Sequence, residues 1–219
     1  MASLTIENYV KAIYQISAGQ DGGPAATGKL AEALGVSPGT VTSMLKTLGE
    51  TGLAEYAPYE GAQLTEAGRT LALRVLRRHR LIELFLVRTL NLSWDEVHAE
   101  AENMEHAVSD LLIDRIDAYL GYPAADPHGD PIPKADGTVA GSPGGRLSKL
   151  PAGTRFRVVR VVDQSPEFLR YLTDTGLTLA AEGKVLANRA ESGTITVEVL
   201  GQQTTLAHYV ADRLLVTQA

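Results

Sequence analysis

The sequence predicts a mainly α chain that carries a small β domain at its C-terminal end, and three stretches predict it. Residues 27–52 hold two short amphipathic helices joined by a tight turn, residues 69–120 read as long helices, and beyond Arg155 apolar and polar residues alternate in short runs.

In residues 4–18, LTIENYVKAIYQISA, the side chains of Ile6, Tyr9, Val10, Ile13 and Ile16 share one stripe, which predicts an amphipathic helix ended by GQDGG. The segment TGKLAEALGVSPGTVTSMLKTLGETG follows. One helix starts at Thr27 and closes at Gly35, VSPG makes the turn, and a second helix runs from Thr40 to Glu50, packed through Val41, Leu45 and Leu48. Ala31 at the close approach, Gly35 in the turn and Val41 beyond it fit a helix-turn-helix. Thr40 to Leu48 is then the recognition helix, with Ser37, Pro38, Gly39, Thr40, Thr42, Ser43 and Lys46 nearest a DNA duplex; short hydroxyls and one ammonium reach phosphates and base edges. LAEYAPYEGAQLTEAGR reads as two short strands turning at Glu60-Gly61, the wing of a winged helix.

Arg69 to Leu92 is one long helix, and its Arg74, Arg77, Arg78 and Arg80 fit either phosphate contacts or a solvated face. Asn91 and Ser93 break it, and Ser93 with Glu96 reads as a capping box opening a second long helix, or two nearly continuous ones, to Leu120. Its Met104, Val108, Leu111, Leu112, Ile116 and Tyr119 offer more apolar surface than one small domain needs, which predicts a dimer seam. Residues 121–154 are rich in Pro and Gly and predict a partly mobile linker. RFRVVRVV, KVLANRA, TITVEVL and DRLLVTQ are strand-like, with a helix near Pro166 to Thr175 between them, and together suggest an SH3-like barrel. The expected division is 1–70 winged helix-turn-helix, 71–122 helical domain, 123–154 linker and 155–219 barrel.

The absence of cysteine excludes disulfide scaffolds, zinc fingers and thiol catalysis. No apolar run approaches the ~20 residues of a membrane span, and MASLTIENYVK lacks the pattern of a secretory signal. A cytoplasmic protein is expected. The net charge of −6 is uneven: residues 81–122 carry two Lys/Arg against nine Asp/Glu, whereas residues 1–80 carry eight against seven. Acidity thus gathers around the histidines, where bound cations would offset it.

His79 and Glu83 are four residues apart, as are His98, Glu102 and His106, with Glu105 beside His106. At helical spacing these imidazoles and carboxylates share faces, and divalent first-row metals want such donors clustered. A solvated polar face with incidental histidines explains any one pair; the set favours metal.

A winged helix, a helix bearing VHAEAENMEHAVSD, the stretch RRHRLIELFL, a DPHGDPIP linker and a terminal barrel resemble the diphtheria-toxin-repressor family of metal-dependent transcriptional repressors, over essentially the whole chain. The resemblance implies a helical dimerisation and metal-binding domain, a homodimer on double-stranded operator DNA, and control of metal-uptake genes, with no membrane and no small-molecule substrate. It also implies a primary metal set of Asn8, Glu102, Glu105 and His106, and an ancillary set of His79, Glu83 and His98 completed by Gln164 and Glu167 from the barrel. The iron branch has Met and Cys at the positions of Asn8 and Glu102, and the manganese branch has Asp and Glu, so this chain matches the manganese branch at Glu102 and neither at Asn8. Asp126 and His128 sit where some manganese regulators place an alternative second-site pair; a simple linker turn reads equally well. Oxygen donors without sulfur favour Mn²⁺, with Fe²⁺ as the alternative.

Two other classes compete. A di-metal carboxylate enzyme needs Glu-x-x-His on two helices, but Glu105 stands three residues after Glu102 and no second copy exists; HExxH is absent too, so no enzyme is expected. A metal-independent winged-helix regulator whose barrel binds a protein partner is the alternative, and it leaves the acidic, histidine-bearing face unexplained.

Overall fold

Ser3 caps the first helix, its hydroxyl accepting from the Ile6 N–H, and α1 (Leu4–Ala18) follows. The computed structural model describes residues 3–20, 22–141 and 144–219; Asp21 of the expected GQDGG stop lies outside the described residues, as do Ser142 and Pro143 of the expected linker. Among the described residues there are eight α-helices, one short 3₁₀ helix (Leu147–Lys149) and eight strands.

α2 (Thr27–Leu34) closes on Gly35, whose φ of 64° is the left-handed turn a side chain resists. α3 (Pro38–Glu50) begins two residues earlier than the sequence suggested. Ser37 is its N-cap and Pro38 takes the first turn, where a missing N–H costs nothing. The wing is β1 (Ala54–Ala57) paired antiparallel with β2 (Gly61–Leu64), so Gly61 opens the second strand rather than sitting in the turn. Tyr9, Val10 and Ile13 of α1, Leu30 of α2, and Val41, Leu45 and Leu48 of α3 form one core with Ala54 and Ala62 of the wing.

α4 spans Glu66–Leu90, α5 Val97–Met104 and α6 Asp110–Tyr119. The near-continuous helix expected from Trp94 to Leu120 is broken between Met104 and Asp110. Ser109 caps α6 by accepting from the Leu112 N–H, a local bond that competes with continuation. The expected capping box at Ser93 forms in part: Glu96 accepts from the Ser93 N–H at 3.1 Å and from its hydroxyl at 2.7 Å. Among the described residues no helix is long and apolar enough to cross a membrane.

The C-terminal sheet has the order β3-β8-β4-β5-β6-β7, all antiparallel. Its strands are β3 (Gly145–Arg146), β4 (Arg155–Val161), β5 (Glu182–Arg189), β6 (Thr194–Val199), β7 (Gln202–Ala207) and β8 (Leu214–Gln218), with α7 (Pro166–Asp174) and the short α8 (His208–Ala211) between them. Phe156, Val158, Leu169, Leu172, Val185, Val197 and Val216 fill its core.

By contact the chain divides into two units. The first comprises residues 1–79, 104–108 and 133–138; the second comprises 80–103, 109–132 and 139–219.

Candidate metal centres and nucleic-acid interface

In the first unit, α1 packs Tyr9, Val10 and Ile13 into the winged-helix core, while Glu7 and Lys11 meet His106 and Glu105. Glu7 Oε2 stands 2.6 Å from His106 Nδ1. A carboxylate is an acceptor only, so Nδ1 carries a proton, and in the neutral ring Nε2 keeps its lone pair. That Nε2 is buried without a hydrogen bond, 3.2 Å from Glu105 Oε1. Glu105 is fully buried. It accepts from Lys11 Nζ at 2.9 and 2.8 Å, and its Oε2 lies 2.6 Å from His79 Nδ1. Asn8 Oδ1 is also buried with no hydrogen-bond partner. An orphaned amide oxygen, an orphaned imidazole nitrogen and a buried carboxylate are the donor types that a divalent ion completes.

The structure therefore gathers Asn8, Glu105 and His106 of the expected primary set in one unit. His79, expected in the ancillary set, contacts Glu105 there. Glu102 falls in the second unit with a half-exposed side chain, its carboxylate 3.8 Å from His98 Nε2. Glu7 and Lys11 were not anticipated. Their signal was the helical face that they share with Asn8, legible only once that face was assigned to the site.

The second unit holds another cluster. Glu83, Asp126 and His128 are all buried, with one potential ligand atom from each within 4.8 Å of the others. His98 Nδ1 adds a contact of 3.3 Å to Glu83 Oε1. His128 Nε2 bonds the Trp94 carbonyl at 2.7 Å, and a carbonyl only accepts, so in the neutral ring Nδ1 carries the lone pair. Nδ1 is buried without a hydrogen bond, 3.8 Å from Glu83 and 3.9 Å from Asp126. Burial, with repulsion from Asp130 and Glu83, pushes the Asp126 carboxyl up to about 8.

The stretch read as a mobile linker holds this loop in a defined form. Asp126 Oδ1 accepts the backbone N–H groups of His128 and Asp130 at 2.8 and 2.9 Å, and Ala125 bridges Pro131. Gly129, at φ 86°, lies so close to β4 that a Cβ would meet the Val159 carbonyl at 2.1 Å. Asp130 pairs with Arg160 and accepts from Gln164 at 2.9 Å. The other barrel residue of the expected ancillary set, Glu167, is exposed and 3.7 Å from Arg170. Gln164 and Glu167 thus contact Asp130 and Arg170 rather than Glu83 or His98.

Of the arginines on α4, Arg74 is exposed, whereas Arg77, Arg78 and Arg80 are buried. Arg77 donates to the Pro133 carbonyl at 3.3 Å, and Arg80 holds the Pro131 carbonyl with Asp130 and Asp126 nearby. Neither a solvated face nor phosphate contact describes these three, and Arg77 and Arg80 tie down the chain beyond α6.

On α3 and its cap, Ser37, Pro38, Gly39, Thr40, Ser43 and Lys46 are exposed, and Thr42 is half-buried. Thr42 donates its hydroxyl to the Pro38 carbonyl at 3.0 Å, and Thr40 shares its hydroxyl with Ser37 at 2.9 Å. These groups keep acceptor lone pairs and methyls outward, and Lys46 is the formal cation among them. On α6, Ile113 and Ile116 turn inward, while Leu111, Leu112 and Tyr119 are exposed.

A winged helix joined to buried imidazole–carboxylate clusters defines the class: a metal-responsive transcriptional regulator. Residues 1–62 match the model of the iron dependent repressor N-terminal DNA binding domain, residues 65–134 that of the iron dependent repressor metal binding and dimerisation domain, and residues 145–218 the FeoA domain. The chain is 33% identical to the iron-dependent repressor IdeR of Mycobacterium tuberculosis over 94% of each chain. It is 34% identical to the diphtheria toxin repressor of Corynebacterium diphtheriae over 78% of this chain and 76% of the other. A solved manganese-dependent transcriptional repressor in complex with manganese superposes with a TM-score of 0.87, at 40% identity, covering 98% of this chain and all of that one. The chain belongs to the diphtheria-toxin-repressor family of metal-dependent repressors.

Proposed function

We propose that this protein is a cytoplasmic, homodimeric repressor that binds double-stranded operator DNA when loaded with Mn²⁺, or alternatively Fe²⁺, and controls metal-uptake genes. The observation that carries this reading is the buried, unpartnered His106 Nε2, 3.2 Å from the Glu105 carboxylate, with a second unpartnered donor, Asn8 Oδ1, buried in the same unit. Asn8, Glu105 and His106 would hold the ion, and Glu7 fixes the His106 tautomer. Bound there, a divalent ion supplies the charge that offsets the carboxylates. Donors without sulfur suit Mn²⁺, and tighter-binding later metals are excluded by geometry and availability.

For the second centre, Glu83, Asp126 and His128 with His98 are favoured over a set completed by Gln164 and Glu167, because His128 Nδ1 is the orphaned atom and Glu167 is turned to solvent. The division into winged helix (1–70), helical domain (71–122), linker (123–154) and barrel (155–219) is kept as the functional layout. Leu111, Leu112 and Tyr119 supply the dimer seam.

The linkage to DNA runs through α1. One face of α1 packs on the recognition unit, and the other presents Glu7 to His106 and Lys11 to Glu105, so restraining that face restrains α3. Activation is a shift of population toward the arrangement in which two α3 helices match their half-sites. The test is to titrate Mn²⁺, and Fe²⁺ anaerobically, into protein with duplex from upstream of a metal-transport gene. Tenfold or greater tightening is expected, abolished by His106→Ala. DNA binding that a chelator leaves unchanged would sink the reading.

A further inference from the structure

Lys is seldom buried without a partner, yet Lys11 is 5% exposed. Its ammonium sits on both oxygens of Glu105, at 2.9 and 2.8 Å, and 3.2 Å from His79 Nδ1. These are donor atoms of the kinds a divalent ion would use. The ammonium is tethered to α1 one turn beyond Glu7, on the face that carries Asn8, so the same helix brings a ligand and a competing cation to one carboxylate.

We propose that Lys11 is a built-in cation of the metal cluster, occupying the Glu105 carboxylate in the ion-free protein and setting the affinity for divalent ions by competing for it. The inference rests on Glu105 being a metal ligand. Both Glu105 oxygens are engaged by the ammonium, and Oε2 also by His79, so an ion must either displace the bidentate Lys11 contact or share the carboxylate with it. Any ion that shares the carboxylate meets a like charge at contact distance in a poorly solvated pocket, which weakens binding by about tenfold or more. Lys11 also leaves Glu105 compensated without an ion: a buried carboxylate with no cation would be costly, whereas this one is already paired. The protein is thereby poised to respond only above a threshold of free metal.

The test compares wild type with Lys11→Met, which keeps the length of the stem and removes the charge, and Lys11→Arg, which keeps the charge. Mn²⁺ affinity is read by calorimetry and melting temperature with and without Mn²⁺. The Met variant should bind Mn²⁺ at least tenfold tighter, melt lower without the ion, and gain more on adding it; the Arg variant should stay within about threefold of wild type. If the Met variant fails to fold without metal, Lys11→Gln, which retains a hydrogen-bond donor, carries the same expectation. Equal or weaker Mn²⁺ affinity in the folded neutral variant overturns the proposal. Glu105→Gln separates the two layers: if that change leaves Mn²⁺ binding intact in wild type, the assignment of the metal site fails, and the role of Lys11 fails with it.

Discussion

Asp126 shows how one buried carboxyl couples the second cluster to pH. Its folded value, about 8, stands above the ordinary 3.8, chiefly through burial and then through Asp130 and Glu83. The folded protein therefore holds a proton that the unfolded chain gives up. The stability from that difference is complete below about pH 4 and is lost as pH climbs through about 8. Asparagine in its place still accepts the His128 and Asp130 N–H groups and has no charge to bury. With metal chelated, Asp126→Asn should come closest to wild type near pH 4 and exceed it at pH 8.5 by roughly 1–5 kcal/mol. Thermal melts at the two pH values check this, and an equal gap at both would refute it. The residue scale also marks the limit of sequence reading. His79, Glu83, His98, Glu102 and His106 announce themselves by four-residue spacing. Glu7 and Lys11 do not, because their partners are 99 and 94 residues away and only the fold brings them together.

Among the elements, those governed by local chemistry were legible: the stripe of α1, the Gly35 turn, the wing hairpin, and α7 opened by Pro166. β7 was not, because QQTTLA has no apolar alternation; one face of it is exposed and only Leu206 is fully buried. The loop around Asp126 was misjudged for a related reason. Its order comes from Asx bonding and from Gly129 against β4, neither of which composition reports. α6 carries an experiment at this scale. Its inner face is spent on Ile113 and Ile116, yet Leu111 and Leu112 remain 68% and 47% exposed, an apolar strip in need of a partner. Leu112→Glu would put an unpaired carboxylate in the proposed dimer seam. Sedimentation should show the dimer dissociating at least tenfold more readily, with the far-UV helix signal unchanged; an unaltered dimer would place the seam elsewhere.

On the scale of the whole molecule, the question is what the barrel does for the metal centres. The sequence suggested that it donates ligands, Gln164 and Glu167; the contacts favour the proposal that it supports a ligand-bearing loop instead. Val161 donates its N–H to the His128 carbonyl at 2.8 Å, Gln164 and Arg160 hold Asp130, and Trp94 Nε1 donates to Thr173 at 3.0 Å while its carbonyl fixes the His128 tautomer. Barrel residues thus support the loop that carries Asp126 and His128 without themselves facing Glu83. The first cluster draws on Glu7, Asn8, Lys11, His79, Glu105 and His106, and no residue after 138 belongs to that unit. Removing residues 151–219 should therefore divide the two centres. The site at Glu83, Asp126 and His128 should weaken by about ten- to a hundredfold, as expected when supports behind ligands are lost, while the site at Glu105 and His106 keeps its affinity within a few-fold. Competition titrations of Mn²⁺ against a chelator resolve the two classes. Equal weakening of both would mean that the barrel stabilises the chain globally, and two unchanged affinities would mean that the loop holds its form alone. A single substitution, Gln164→Ala, should reproduce part of the loss at the second site only, since it removes one support of Asp130 and leaves the barrel core intact.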